Sequence, residues 1–177
     1  MQSIDLTDRK LKIYIDMDGV LADLFGHAQG IHNVETYKSL TKDQWEKFFS
    51  DSDAEELFSN LPPFPTTNKL LQMVVEMFGG YSILSSPLSF DGPGSIRGKK
   101  IWIAKNITVP SEQDIFDHEK YRYAIQENGT PNILIDDYKV NIKLWVDHGG
   151  IGIKFQSDED SLVDLKNKLK QAVIKTL

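Results

Sequence analysis

Short apolar runs alternate with longer stretches of helical period along this chain. KIYIDM at residues 12–17 is β-branched and aromatic, which predicts a short buried strand ending at Asp16-Met17-Asp18-Gly19. Residues 20–28 predict a turn leading into a helix whose regularity Gly26 and Gly30 weaken. From 41 to 60 the period is helical: Thr41 and Gln44 have the spacing of a capping box, and Trp45, Phe48 and Phe49 form one aromatic face. Asp51 and Asp53 would cap a second short helix carrying Leu57 and Phe58, and Pro62, Pro63 and Pro65 then make a stiff linker.

Residues 67–78 read as an apolar-rich helix closed by Gly79-Gly80, and residues 81–85 (YSILS) as a second strand. Residues 87–98 read as a glycine-bearing loop, 99–106 as a short helix around Trp102, and 107–109 as a further strand. The segment 110–128 has no period and is assigned no element. ILI at 133–135 is a strand ending at Asp136-Asp137; 138–148 is a helix closed by Gly149-Gly150; IGIKF at 151–155 is the last strand. Residues 158–175 form an amphipathic helix with Leu162, Leu165, Leu169 and Val173 on one side, and Asp158 and Asp160 in its acidic first turn. Strands alternating with helices imply an α/β fold: a Rossmann-like parallel sheet with helices on both faces and its ligand site at the carboxyl ends of the strands. Residues 33–61 stand apart as a small, mostly helical insert after the first strand, with 1–32 and 62–177 as the α/β core.

Composition narrows the chemistry. The 177 residues include 26 acidic and 20 basic side chains, a formal net charge of −6 that speaks against a nucleic-acid polymer or an anionic membrane as partner. The absence of cysteine excludes disulfides, thiolate metal sites and cysteine nucleophiles. No apolar run approaches the roughly 20 residues of a membrane span, and the polar first residues show no targeting signal, so a cytoplasmic location is the expectation.

The informative polar residues sit at strand ends. Asp16 and Asp18 follow the first strand, Ser85-Ser86 the second, Asp136-Asp137 a later one. Each has an ordinary structural reading: Asp-x-Asp-Gly as a turn, Asp136 and Asp137 as a helix cap, Ser85 as a turn residue before Pro87. In parallel strands they would instead share one sheet edge, where four carboxylates need a cation. Oxygen-only donors suggest Mg²⁺, and Mg²⁺ suggests a phosphate substrate. GPGSIRG at 92–98 lacks the spacing of a dinucleotide fingerprint, DMDGVLAD has its glycine too early for a calcium loop, and the four histidines have no zinc spacing.

Taken together, DMDGVLAD (16–23), Ser85-Ser86-Pro87, Lys99-Lys100-Ile101-Trp102 and LIDD (134–137) resemble the motifs of the haloacid dehalogenase-like (HAD) phosphohydrolases. Within that superfamily they are most similar to the 5′(3′)-deoxyribonucleotidase group. The resemblance implies a HAD-like core with the insert as a cap, and a Mg²⁺-dependent phosphomonoesterase acting on nucleoside (deoxy)5′-monophosphates through an aspartyl-phosphate. It implies Asp16 as nucleophile, Asp18 as acid and base, and Ser85 and Lys99 on the phosphoryl group, Lys100 remaining an alternative to Lys99. It implies a metal held by Asp16, Asp18 through its backbone carbonyl, and Asp137, with Asp136 behind them or paired with the lysine. Ser86, Leu24, Phe25 and Trp45 are candidates to touch substrate, although Trp45, Phe48 and Phe49 also read as the insert's own small core. A homodimer is compatible with all of this. Other readings are a sugar-phosphate phosphatase, a polynucleotide 3′-phosphatase, or a non-catalytic module phosphorylated on aspartate, whose acidic pair would instead lie on its first strand.

Overall fold

In the computed structural model, residues 10–176 are described; the polar stretch before them, on which the targeting reading rests, lies outside the described residues. Five parallel strands form one sheet in the order β3-β2-β1-β4-β5. They are β1 (Ile13–Ile15), β2 (Ser82–Ser85), β3 (Asp114–Phe116), β4 (Ile133–Asp136) and β5 (Ile151–Lys154). β1 is central because IYI is apolar on both faces. Ile13 and Ile15 enter the larger core, while Tyr14 points the other way, onto Leu84, Leu134 and Trp145. That is the expected α/β fold, with helices packed around a parallel sheet.

Among the described residues, seven α-helices accompany the sheet: α1 (Leu24–His32), α2 (Lys42–Ser50), α3 (Ala54–Ser59), α4 (Thr67–Phe78), α5 (Gly92–Asn106), α6 (Lys139–Asp147) and α7 (Leu162–Lys175). Local signals set many of their ends. Thr41 and Gln44 form both bonds of the capping box on α2, Asp53 caps α3, and Gly79, at φ +83°, closes α4.

Three expectations about element boundaries are corrected. The glycine-bearing loop is shorter than 87–98, because α5 begins at Gly92. There the Asp91 carboxylate accepts from the Gly94 amide at 2.9 Å, and Pro93 occupies a position that needs no N–H donor. Gly98 serves close packing, since a Cβ there would lie 2.5 Å from the Glu55 carbonyl oxygen of α3. Residues 107–109 are not a strand; the strand that follows β2 is β3, at one edge of the sheet and inside the segment that carries no period. Finally, α7 starts at Leu162 with the Ser161 hydroxyl as its cap, so Asp158 and Asp160 precede the helix, and Asp160 instead accepts from the Gln156 amide at 2.8 Å.

The aromatic face of the insert is not a separate small core. Phe48, Leu57, Phe58 and Leu61 join the apolar cluster that contains Ile13 and Ile15, with Trp45 and Phe49 packed against it. The Trp102 indole of α5 donates to the Leu61 carbonyl at 2.7 Å, and Arg97 pairs with Glu55 at 2.6 Å. No helix among the described residues is long and apolar enough to cross a membrane.

Candidate active site

The parallel sheet carries Asp16, Ser85 and Asp136 to the same edge because each is the last residue of its strand or the one just after it. The Asp16 amide donates to the Ile135 carbonyl at 2.9 Å, which ties the first acid to the strand bearing the acidic pair. Beyond it the chain turns tightly, with the Leu21 and Ala22 amides both donating to the Met17 carbonyl. Gly19 makes that turn at φ +81°. A Cβ on it would lie 2.7 Å from both an Asp137 carboxylate oxygen and the Phe25 ring, so this turn and Asp137 are in direct apposition.

Two buried lysines hold the carboxylates. Lys99 comes in from α5 at 1 % exposure; its Nζ donates to Asp18 Oδ2 at 2.7 Å, Ser85 Oγ at 2.8 Å and the Ser86 carbonyl at 2.8 Å. The Phe58 ring of the insert covers this ammonium, with its centroid 4.7 Å away. Lys100 is exposed beside Phe116, so of the adjacent pair it is Lys99 that enters the site.

The second lysine, Lys120, comes from a single 3₁₀ turn at Lys120–Tyr123 and is not among the residues expected from the sequence. Its Nζ lies 2.6 Å from Asp16 Oδ1 and 2.7 Å from Asp136 Oδ2. Asp136 is otherwise saturated, accepting from the Tyr138 amide at 2.8 Å and from Asn141 Nδ2 at 3.0 Å. The partner lysine of Asp136 is therefore Lys120, not Lys99. No sequence signal marked Lys120: it stands in a stretch without period, and only the return of the chain over the sheet edge brings it in.

Asp16, Asp136 and Asp137 each offer a carboxylate oxygen within 4.8 Å of the others, a set that can hold a metal ion. Four carboxylates, with Asp18, face two ammonium groups, leaving two negative charges in a mostly buried place. The titration shifts express the same imbalance. Burial, then the charges of Asp16, Asp136 and Asp18, push the Asp137 carboxyl up to about 8. Burial also raises Asp18, against the pull of Lys99, and Asp136, reinforced by Asp16. Burial pulls Lys120 down, but Asp16 and Asp136 outweigh it and hold its ammonium above the usual lysine range. Asp18 Oδ1 is buried with no hydrogen-bond partner among the described residues. A divalent, oxygen-seeking ion fits this donor set and its residual charge.

Of the remaining sequence candidates, Ser86 contributes its carbonyl, while its hydroxyl lies 3.4 Å from the Asp117 carbonyl. Phe25 sits against Gly19, stacked on Tyr37 at 4.8 Å between centroids and edge-on to Trp45 at 6.1 Å. Leu24 belongs to the core at 8 % exposure. Tyr37 is a further residue the sequence did not single out: its hydroxyl accepts from Gln156 Nε2 at 2.6 Å and donates to Glu159 at 3.2 Å, tying the start of the insert to the loop after β5.

Several solved structures share this fold. An L-2-haloacid dehalogenase is 12 % identical over 90 % of this chain and 99 % of its own, with a TM-score of 0.56. A HAD-superfamily hydrolase from Ehrlichia chaffeensis is 14 % identical over 92 % of this chain and 97 % of its own, at 0.52. A HAD family enzyme from Bacteroides thetaiotaomicron, in complex with magnesium and inorganic phosphate, is 16 % identical over 86 % of this chain and 98 % of its own, at 0.51. No family model and no curated protein matches the sequence. At these identities the likeness is one of fold: the chain has the α/β fold of HAD-superfamily hydrolases.

Proposed function

We propose that this protein is a Mg²⁺-dependent phosphomonoesterase, and that its substrates are nucleoside (deoxy)5′-monophosphates. The observation that carries the reading is the convergence of Asp16, Asp18, Asp136 and Asp137 with Ser85 and two buried lysines at one sheet edge. Asp16 is the nucleophile: a carboxylate oxygen attacks phosphorus, the ester P–O bond breaks, and an aspartyl-phosphate forms. Asp18, whose carboxyl is raised by burial, donates its proton to the leaving oxygen and then takes one from the water that hydrolyses the intermediate. Lys99 and Ser85 meet the phosphoryl oxygens, and Lys120 orients the Asp16 carboxylate while balancing Asp136.

Asp16, the Asp18 carbonyl and Asp137 would hold Mg²⁺, which supplies charge neutralisation at the phosphoryl group. Asp136, already committed to Lys120, Tyr138 and Asn141, positions rather than ligates. Residues 33–61 act as a cap, and the Phe25, Tyr37 and Trp45 rings beside the acidic loop offer a surface on which a base would stack.

Asp16→Asn should abolish phosphatase turnover while leaving the fold intact; turnover at the wild-type rate would overturn the mechanism. Comparing kcat/KM across nucleoside 5′-monophosphates, their deoxy forms, sugar phosphates and 3′-phosphorylated oligonucleotides tests the substrate. Nucleotides should lead, and a sugar phosphate or oligonucleotide in the lead would refute the nucleotide reading.

A further inference from the structure

The chain leaving the fifth strand also carries a buried polar side chain, one the mechanism does not use. Gln156 follows β5 at the same carboxyl edge as Asp16, Ser85 and Asp136, and it is 7 % exposed. Its backbone is committed. The amide donates to Asp160 Oδ2 at 2.8 Å, and the carbonyl accepts from the Glu159 and Asp160 amides at 3.0 and 2.8 Å. Among the described residues its side chain makes one hydrogen bond, from Nε2 to the Tyr37 hydroxyl at 2.6 Å.

That bond closes a circuit of contacts around the acidic turn. The Tyr37 hydroxyl accepts from Gln156 and donates to Glu159 at 3.2 Å, so it is fixed from two sides. Its ring stacks on Phe25, with centroids 4.8 Å apart and planes at 23°. Phe25 meets the Gly19 turn at the point where a Cβ would also meet the Asp137 carboxylate, each at 2.7 Å. From the turn the circuit returns to its start. The Gly19 carbonyl accepts from the Ser157 amide at 3.0 Å, and the Val20 carbonyl from the Ser157 hydroxyl at 2.6 Å. Ser157 is the residue after Gln156. One loop therefore grips the acidic turn with one residue and the aromatic wall with its neighbour.

The wall depends on this grip. Phe25 and Tyr37 are half-buried, and Tyr37 opens a single 3₁₀ turn at Tyr37–Ser39. Gln29 holds the Tyr37 backbone amide at 3.3 Å, which leaves the ring to be oriented through its hydroxyl. The Lys38–Glu159 pair alongside is exposed, and exposed ion pairs contribute little. The Gln156 bond is the firmer hold. A ring fixed before substrate arrives spares binding the cost of ordering it.

We propose that Gln156 is a positioning residue: by holding the Tyr37 hydroxyl it fixes the Phe25 ring beside Asp137, and so sets a preference for phosphate esters whose leaving group carries a flat ring. This rests on the phosphomonoesterase reading above.

The test uses two phosphonates, whose P–C bond is not an ester and is not hydrolysed. Phenylphosphonate carries a ring and methylphosphonate does not, while the charged head is the same. Calorimetric titration of the whole chain with Mg²⁺ present should show wild type preferring phenylphosphonate by at least about tenfold in Kd. Gln156→Leu should cut that preference about threefold to tenfold, the size one hydrogen bond commonly carries, with methylphosphonate within about twofold of wild type. Tyr37→Phe keeps the ring and removes the hydroxyl. It should cut the preference by a similar factor, and it keeps the inference testable if Gln156→Leu does not fold. The double variant should lose no more than either single change, because both break the same bond. Binding of neither phosphonate to wild type by about 10 mM would overturn the inference. So would an equal loss for both phosphonates, a preference unchanged in both variants, or additive losses in the double variant. Wild-type turnover of phosphate esters, assayed alongside, reports on the phosphomonoesterase reading separately: turnover with an unmoved preference sinks the role of Gln156 alone.

Discussion

Replacing Lys120 by methionine removes a charge from a place where it cannot be spared. Its Nζ is the only ammonium among the described residues within hydrogen-bond distance of Asp16 and Asp136, at 2.6 and 2.7 Å. Methionine approximates the volume of the lysine stem, so no large cavity forms, and the loss is electrostatic. What remains is two buried carboxylates with oxygens within 4.8 Å of each other. At an effective dielectric constant of about 20, repulsion at that distance is ~3.5 kcal/mol, and removing one partner of a buried ion pair costs about 3–5 kcal/mol in general. We therefore expect Lys120→Met to lose about 3–5 kcal/mol in urea unfolding near pH 8 with chelator present.

The pH dependence has a definite sign. Without the lysine, the two carboxyls hold a shared proton to higher pH in the folded state than in the unfolded chain. The folded variant then binds more protons, and its stability falls as pH rises. The gap to wild type should be largest near pH 8 and shrink towards about pH 5. Saturating Mg²⁺ should recover part of the loss near pH 8 by supplying positive charge to the same oxygens. Stability within about 0.5 kcal/mol of wild type near pH 8, with chelator, would refute this account of the site.

Four other outcomes are expected. Mg²⁺ affinity, measured by calorimetry, should rise with pH at up to about tenfold per unit until about pH 8 and then level off, because Asp137 must give up its proton to bind metal. The same raised Asp137 pKa makes metal-free stability fall as pH climbs from the ordinary carboxyl range towards about 8, since the unfolded chain releases that proton first. Gly19→Ala should cost at least about 2 kcal/mol in thermal or urea unfolding and weaken Mg²⁺ binding, because its φ of +81° disfavours a side chain and its Cβ would strike Asp137 and Phe25. Lys99→Met should lower phosphatase turnover at least about a hundredfold while Lys100→Met stays near wild type, since only Lys99 is buried against Asp18 and Ser85.

Much of this fold is legible from local rules. Strand β1 and helices α2 and α4 announce themselves by composition, period and caps, because their ends are determined by residues three or four positions away. Local pattern and fold part company where a local signal has a nonlocal purpose. Gly98 and its neighbours look like loop until α3 is seen pressed against them, and the three-residue edge strand β3 depends on β2 for its bonds. The aromatics of the insert resemble an independent core because their partners in the α/β core lie far away in the chain.

The order of the motifs alone placed Asp16, Asp18, Ser85 and the Asp136-Asp137 pair at strand ends, and a parallel sheet then had to gather them, since its strands all point the same way. Composition also excluded thiol chemistry. Tertiary structure decided which lysines stand among these acids. Lys99 rather than Lys100 follows from the face of α5 that packs inward, and Lys120 arrives on one 3₁₀ turn in a stretch with no period. Periodicity records only the face an element buries; a single side chain delivered by an irregular segment leaves no repeat behind, and its place is set by distant parts of the chain that close around it.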